Sequence, residues 1–276
     1  MSCPRHAPQA RANTNRFDAV DRADDPSALV AFLDVAKAQP AVVAAKADIL
    51  ELLRLGRGGD ALDVGCGFGA DVVAMAQRLG RRGRAVGIDS SHAMIAEARR
   101  RTRGHGLQVR FEVGDAQRLA FADDSFGASR IETVLQHVPD PERVVREMVR
   151  VTRPGGRVAA LEFDLGTVFV DHPDVELSNT IRETFIGGAT QGSMGRQLPR
   201  LFTHAGLVEI DVGARTVLSD CGFFHLLLDR HVDLLREEGV VTAEQAGRWW
   251  AAIDEAGAAG HFTGGATAFI VAGTAP

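Results

Sequence analysis

The stretch that most constrains this chain is Ala61-Leu62-Asp63-Val64-Gly65-Cys66-Gly67-Phe68-Gly69-Ala70-Asp71, which reads as a buried strand running through a glycine turn into a helix. A strand that must turn sharply and let a ligand touch its backbone needs residues without a Cβ. Gly65, Gly67 and Gly69 supply them at alternate positions. The helix begins near Asp71, its first amides face back over the turn, and Val72, Val73, Met75 and Ala76 can bury one side against a sheet.

The glycines alone are ambiguous, because Gly65-x-Gly67-x-x-Ala70 also fits a dinucleotide fingerprint, whose turn must face a pyrophosphate. The carboxylates argue against that ligand. Asp63 precedes the first glycine by two residues and Asp71 lies in the first helical turn, so two negative charges would crowd a pyrophosphate. They suit a cation. S-adenosylmethionine carries an ammonium and a sulfonium, and Asp63 is placed to receive the ammonium directly or through water. Arg84-Ala85-Val86-Gly87-Ile88-Asp89 is a second strand closed by an acid 20 residues beyond Gly69. Asp89 can accept both hydroxyls of an adenosine ribose, and it can also cap the following helix, read over 90–103. Val109-Arg110-Phe111-Glu112-Val113 is a third strand leading into Gly114-Asp115-Ala116, where Asp115 can accept from an adenine amino group or simply close a turn.

With these signals in order, the chain resembles the class I S-adenosylmethionine-dependent methyltransferases. It is most similar to the small-molecule enzymes of ubiquinone/menaquinone-biosynthesis type and their natural-product relatives. The matching pieces are the loop from Asp63 to Gly69 with Cys66, Gly87-Ile88-Asp89 with Ser90 and Met94, Gly114-Asp115-Ala116, the stretch from Phe126 to His137, and Arg153-Pro154-Gly155-Gly156. The resemblance implies a Rossmann-like, doubly wound α/β fold, its sheet seven-stranded with an antiparallel last strand. It implies that Met94 packs on the adenine and that the turn near Glu132 passes the methionine portion of S-adenosylmethionine. Two positions depart from the family pattern: Gly127 stands where an aspartate is usual, and Gln136-His137 where paired histidines are. Both fall near the end of the fourth strand, where the methyl group should point.

Length and charge set bounds on the rest. At 276 residues and 45% hydrophobic, the chain accommodates one full α/β domain and a modest cap. We read residues 1–16 as a polar tail, expected to be mobile, and 17–276 as a single domain. Its cofactor core lies at about 40–165 and its cap elements at 17–56, 165–195 and 220–262. The formal charge of −5 does not favour a polyanion partner, so no nucleic acid is expected. The arginines from Arg78 to Arg110 read as a solvated helical surface. Cys3, Cys66 and Cys221 have no metal spacing and are too few for a disulfide framework, which points to a reducing cytoplasm and to no metal. No apolar run approaches ~20 residues, so no membrane span is read. Only two lysines occur, Lys37 and Lys46, and the skew toward arginine reads as coding bias.

Helices are expected over 25–39 and 40–55, placing Phe17 and Phe32 as candidates to face ligand, with ordinary packing an equal alternative. Arg130 and Glu132 fall in or at the end of a buried strand and must be paired or functional; an ion pair between them or with Glu162 is one reading. The fifth strand, 157–163, ends at Asp164, which with Glu162 is read as polar lining of the substrate mouth. Phe185, Met194, Phe224 and Trp249 are the apolar substrate candidates, carried by looser segments and by two apolar helices at 223–238 and 242–255 that form a cap or a dimer face. His137, Glu132 and His225 are the acid/base candidates. The expected activity is methyl transfer to an oxygen or carbon of an apolar or aromatic small-molecule secondary metabolite. The cap has aromatic residues and flexible glycines and no phosphate signature. Two rivals are an enzyme of the same fold using the sulfonium for cyclase or isomerase chemistry, and an NAD-dependent oxidoreductase, which Asp63 and Gly114-Asp115-Ala116 disfavour.

Overall fold

The computed structural model describes residues 21, 26–188 and 191–276. Phe17 and the 1–16 segment lie outside the described residues. The described strands are β1 (Asp60–Val64), β2 (Arg84–Asp89), β3 (Val109–Val113), β4 (Phe126–Glu132), β5 (Thr152–Val170), β6 (Val208–Ser219) and β7 (Gly264–Thr274). They form one seven-stranded sheet in the order β3-β2-β1-β4-β5-β7-β6. Pairs from β3 through β5 are parallel, and β7 runs antiparallel to both β5 and β6. The chain order reverses beside β1, so the crevice at the carboxyl ends of β1 and β4 is where such a sheet binds ligand.

The parallel strands are near-continuous apolar runs because helices cover both faces. The helices are α1 (Pro26–Ala38), α2 (Pro40–Leu52), α3 (Ala70–Leu79), α4 (His92–Thr102), α5 (Pro141–Val151), α6 (Val175–Gly187), α7 (Met194–His204), α8 (Cys221–Glu237) and α9 (Ala243–Ala259). On one face α2 and α3 bury Ile49, Leu50, Val72 and Met75 together with Ala61 and Leu161 of the sheet. On the other, α5 and α7 bury Val144, Val145, Met148, Leu198 and Phe202 against Leu62, Val64 and Ile131. Each such side chain contributes roughly 1.5–3 kcal/mol when taken fully from water. Helix starts follow the local chemistry: Asp140 accepts from the Arg143 amide at 2.9 Å with Pro141 in the first turn, and Thr242 with Gln245 forms a reciprocal capping box.

Two strands are longer than the sequence suggests. The fifth extends past Asp164 to Val170, after a register shift, because β7 continues to pair with it through Phe169↔Gly265 and Val170↔Gly264. The sixth runs to Ser219 for the same reason, paired with β7 through Ser219↔Gly264. A segment that reads as loosened in sequence is therefore held by its partner strand. Among the described cysteines, Cys66 is a buried free thiol and Cys221 is disulfide-bonded, a single bond that does not fit the reducing compartment expected from the cysteine count.

Beyond the strand ends, α6, α8 and α9 share a cluster of their own, built from Ile181, Phe185, Phe224, Leu228, Val232, Trp249 and Ile253 with Val168 of β5. Trp249 is buried, donates its indole N–H to Ser178 Oγ at 2.9 Å and meets Trp250 edge-on at 4.6 Å. His225 ties α8 to α9: Nδ1 lies 3.0 Å from Asp229 and Nε2 2.8 Å from Asp254, with the ring stacked on Trp250 at 3.9 Å. Burial would lower the pKa of this imidazole, but the two carboxylates outweigh it and raise it. Two outcomes are expected. Trp249→Ala should lower stability by about 3–5 kcal/mol in denaturant unfolding, since it empties the centre of this cluster. The stabilisation from His225 is fully present below its unfolded pKa of 6.5 and is lost as pH rises through the raised folded value. Wild-type unfolding midpoints should therefore decline above pH 6.5 more steeply than those of His225→Gln.

Candidate active site

The glycine turn after β1 is shaped by close approach. Gly65 has φ of 71° and a Cβ there would stand 2.2 Å from Val134 Cγ2; Gly69 has φ of 82° and its Cβ would strike the Phe111 ring at 2.5 Å. Both positions exclude a side chain on steric grounds as well as on backbone grounds. The turn thus lies tightly between the loop following β4 and the strand β3, with the first amides of α3 directed over it.

At its edge sits a buried cluster of charges. Arg130 on β4 is wholly buried and contacts three carboxylates: Asp63 of β1 at 3.5 Å, Asp71 of α3 at 3.0 Å, and Glu132 at its own strand's end. Lys46 of α2 reaches Asp71 at 2.6 Å and Glu132 at 3.2 Å, and Lys37 of α1 reaches Asp71 at 3.3 Å. Three acids thus face three bases. Burial would raise Asp71, but Arg130, Lys37 and Lys46 outweigh it and hold the carboxyl well below its ordinary range. Asp63 fares differently. Burial dominates there and pushes it up to about 7, because its Arg130 contact at 3.5 Å is too long for a strong hydrogen bond.

This arrangement corrects two readings of the sequence. Asp71 is saturated by protein cations, so it offers no charge to a ligand. The lysine pair, read as compositional bias, lies in the site, and the two-residue rarity of lysine was the signal available. Glu132 is paired with Arg130 and Lys46, as one sequence reading anticipated for Arg130, while Glu162 takes no part in that ion pair.

The ribose candidate Asp89, at the end of β2, accepts from the Gly67 amide at 2.9 Å with one oxygen and from the Ser91 amide at 2.9 Å with the other. It therefore locks the glycine turn to the start of α4. Burial raises its pKa above the ordinary carboxylate value. Ser91 is the helix cap, accepting from Met94 N at 3.1 Å. Asp21, which sequence reasoning missed, receives the Ser91 hydroxyl at 2.5 Å and the His92 amide at 2.8 Å. Ser90 is exposed beside it. Met94 is buried against Leu29 of α1. Asp115 is exposed and accepts from the Gln117 amide at 2.8 Å, which is the turn-closing role, between Gly114 and Ala116 at the end of β3. Cys66 lies in the turn with its thiol raised by burial.

Asp63, Asp89, Asp115 and Glu132 thus stand at the carboxyl ends of the four strands β1, β2, β3 and β4. Other candidates sit apart from that row. His225 is held within α8 and α9, and Phe185, Phe224 and Trp249 fill the cluster between α6, α8 and α9. Met194, the first residue of α7, is buried in the cluster that α7 and α5 form with the sheet, and Phe32 stacks on Phe223 of α8 at 6.0 Å. Asp164 is fully buried and paired with Arg196. His137 ends a short 3₁₀ turn, Leu135–His137, that follows β4. Arg101, read as part of a solvated surface, pairs with Asp34 of α1 at 2.7 Å and lies 4.2 Å over the Phe68 ring.

A loop built from three positive-φ glycines, flanked by carboxylates at successive strand ends of a doubly wound sheet, defines an adenosyl-cofactor cradle. Comparison with known proteins takes this further. Residues 62–160 match the family described as Methyltransferase domain. An uncharacterized 37.1 kDa protein in transposon TN4556 of Streptomyces fradiae is 36% identical over 246 residues, covering 88% of this chain and 70% of that protein. A demethylmenaquinone methyltransferase of Lactobacillus johnsonii is 37% identical over 112 residues, 40% of this chain and 46% of its own length. The chain spans about half the length of the relatives of that kind. The YcgJ protein of Bacillus subtilis has the same fold, with a TM-score of 0.57 at 18% identity over 84% of this chain and 97% of that one. This chain belongs to the class I S-adenosylmethionine-dependent methyltransferases, enzymes whose cofactor is S-adenosylmethionine. Among the described residues no helix is long and apolar enough to cross a membrane.

The charge cluster yields its own prediction. Arg130→Met would leave three buried carboxylates facing two lysines, at a cost of about 3–5 kcal/mol. The deficit should shrink as pH falls from 8 to 5 and the carboxyls take up protons, as read by urea unfolding at both values.

Proposed function

We propose that the protein transfers the methyl group of S-adenosylmethionine to an oxygen or carbon of an apolar or aromatic small molecule. The observation that carries the cofactor end is the pairing of Asp63, whose ion-pair contact with Arg130 is long at 3.5 Å, with the glycine turn and Asp89. The fit is chemical as well as steric. Asp63 offers an under-neutralised carboxylate to an ammonium, and Asp89 offers lone pairs to a vicinal diol. Lys37, Lys46 and Arg130 supply positive charge where a methionine carboxylate would need it.

When bound, S-adenosylmethionine supplies a methyl carbon already activated by its sulfonium. The residues of this chain contribute alignment and exclusion of water. Asp63 and Asp89 fix the two ends of the cofactor, and Val134 backs the turn. The helices α1 and α8, joined through Phe32 and Phe223, flank the same side. A base is optional for an acidic phenol or activated carbon; His137, on the turn that follows β4, is the group we assign to that role for a less acidic acceptor. An apolar acceptor is supported by the similarity to a demethylmenaquinone methyltransferase, named for a quinone.

Thermal and calorimetric titration test this reading. At ~100 times the dissociation constant, S-adenosylmethionine and S-adenosylhomocysteine should each stabilise the protein by about 2.7 kcal/mol, and NAD should not. Asp89→Ala should weaken binding by about 1–3 kcal/mol. Because Asp63 titrates near 7, cofactor affinity should fall as pH drops below that value and stay level just above it. A pH-independent affinity would remove Asp63 from the site, and absence of any shift would remove the cofactor assignment.

A further inference from the structure

Glu162 is not the mouth-lining carboxylate that its place near a strand end suggests. It is fully buried on β5, and one oxygen accepts two backbone amides, Val134 N at 2.8 Å and Leu135 N at 2.7 Å. Those amides belong to the chain just past the end of β4, where Thr133 N still reaches Leu161 O at 2.9 Å but the ladder then stops. Buried amides without a ladder partner need another acceptor, and Glu162 Oε1 is that acceptor.

The turn it holds is strained. Thr133, a β-branched residue, has φ of 52°, in the left-handed region that such residues rarely enter. A conformation of that kind persists only when its surroundings enforce it. The turn also bears on the cofactor loop at both ends. Glu132, before it, belongs to the charge cluster with Arg130 and Lys46, and Val134, within it, occupies the space that a Gly65 side chain would need.

We propose that Glu162 is a positioning residue for the methionine half of the cofactor, acting through the turn at 132–135. The proposal rests on the S-adenosylmethionine reading above. Among the described residues the second oxygen, Oε2, is buried with no hydrogen-bond partner. Burial, with Glu132 adding to it, pushes Glu162 up to about 8, so the group is a neutral acid at pH 7. Glu132 is the titratable group facing it from β4. The neighbours from β7 and α7 are the uncharged Phe269 and Gly195. Loss of the proton above pH 8 tightens the bonds to the two amides but places a second buried negative charge beside Glu132, and the repulsion between the two carboxylates shifts the Glu132 end of the turn.

The test is calorimetric binding of S-adenosylhomocysteine to the full chain between pH 7 and 9, in wild type, Glu162→Gln and Glu162→Ala. The glutamine carbonyl can accept the same two amides, so Glu162→Gln should bind within about threefold of wild type at pH 7, whereas Glu162→Ala should lose roughly tenfold or more. Wild-type affinity should fall above pH 8 more than that of Glu162→Gln, because only the wild type has the proton to lose. A change that is merely structural would not separate those two pH profiles. Identical profiles, or an alanine variant that binds like wild type, would overturn the proposal. If Glu162→Ala does not fold, the comparison of wild type with Glu162→Gln decides it alone. No binding to wild type would instead overturn the cofactor reading on which the proposal stands.

Discussion

The buried guanidinium of Arg130 is the contact on which the rest of this site depends. It touches carboxylates from β1, α3 and β4, three elements separated by up to 69 positions in sequence, at a point where none of them can be hydrated. A cation wholly inside a protein is tolerated only when opposite charge meets it, and three acids with one base would leave the opposite excess. Lys37 and Lys46 remove that excess. Their arrival from α1 and α2 means that the N-terminal helices complete the electrostatics of the loop as well as covering it.

Balance of this kind has a functional side. A site whose charges were all tightly paired would have nothing to give a zwitterionic ligand. Here the pairing is uneven: Asp71 draws on Arg130, Lys37 and Lys46, while Asp63 is left at 3.5 Å from a guanidinium shared with two other acids. The unevenness follows from geometry. Asp71 stands in the first turn of α3, where both lysines contact it, and Asp63, buried on β1, feels Lys37 only at longer range. The carboxylate that is poorly neutralised is the one next to the glycine turn.

Much of this was legible in the sequence, for identifiable reasons. Gly65, Gly67 and Gly69 announce a turn because their backbone angles exclude other residues, and that constraint is local. Asp89 is legible because strand length fixes how far along the chain the second strand must end. What escaped was tertiary. Nothing near Lys37 or Lys46 reveals that two helices will fold back on Asp71, and Arg130 and Glu132 reveal only that some partner must exist. The continuation of β5 to Val170 was hidden because its alternation is broken at Gly166 and restored by pairing with β7, a strand about 100 residues later. Phe185, Phe224 and Trp249 were read as substrate lining because aromatic side chains look alike in sequence whether they line a pocket or fill a core.

Glu162 illustrates the same division from the other direction. Its burial was predictable from a parallel strand covered on both faces, and the need for a partner followed at once. An ion pair with Arg130 was the natural candidate, yet the cation was already committed to other strands. The carboxyl turned to backbone amides instead, and this is possible because the β4–β5 pairing ends at Glu132↔Leu161 while β5 runs on, leaving two donors of the departing chain beside the next side chain of β5. The end of the ladder one residue before Glu162 thereby converts a buried acid from a charge requiring a counterion into a neutral clamp on the turn that backs the cofactor loop.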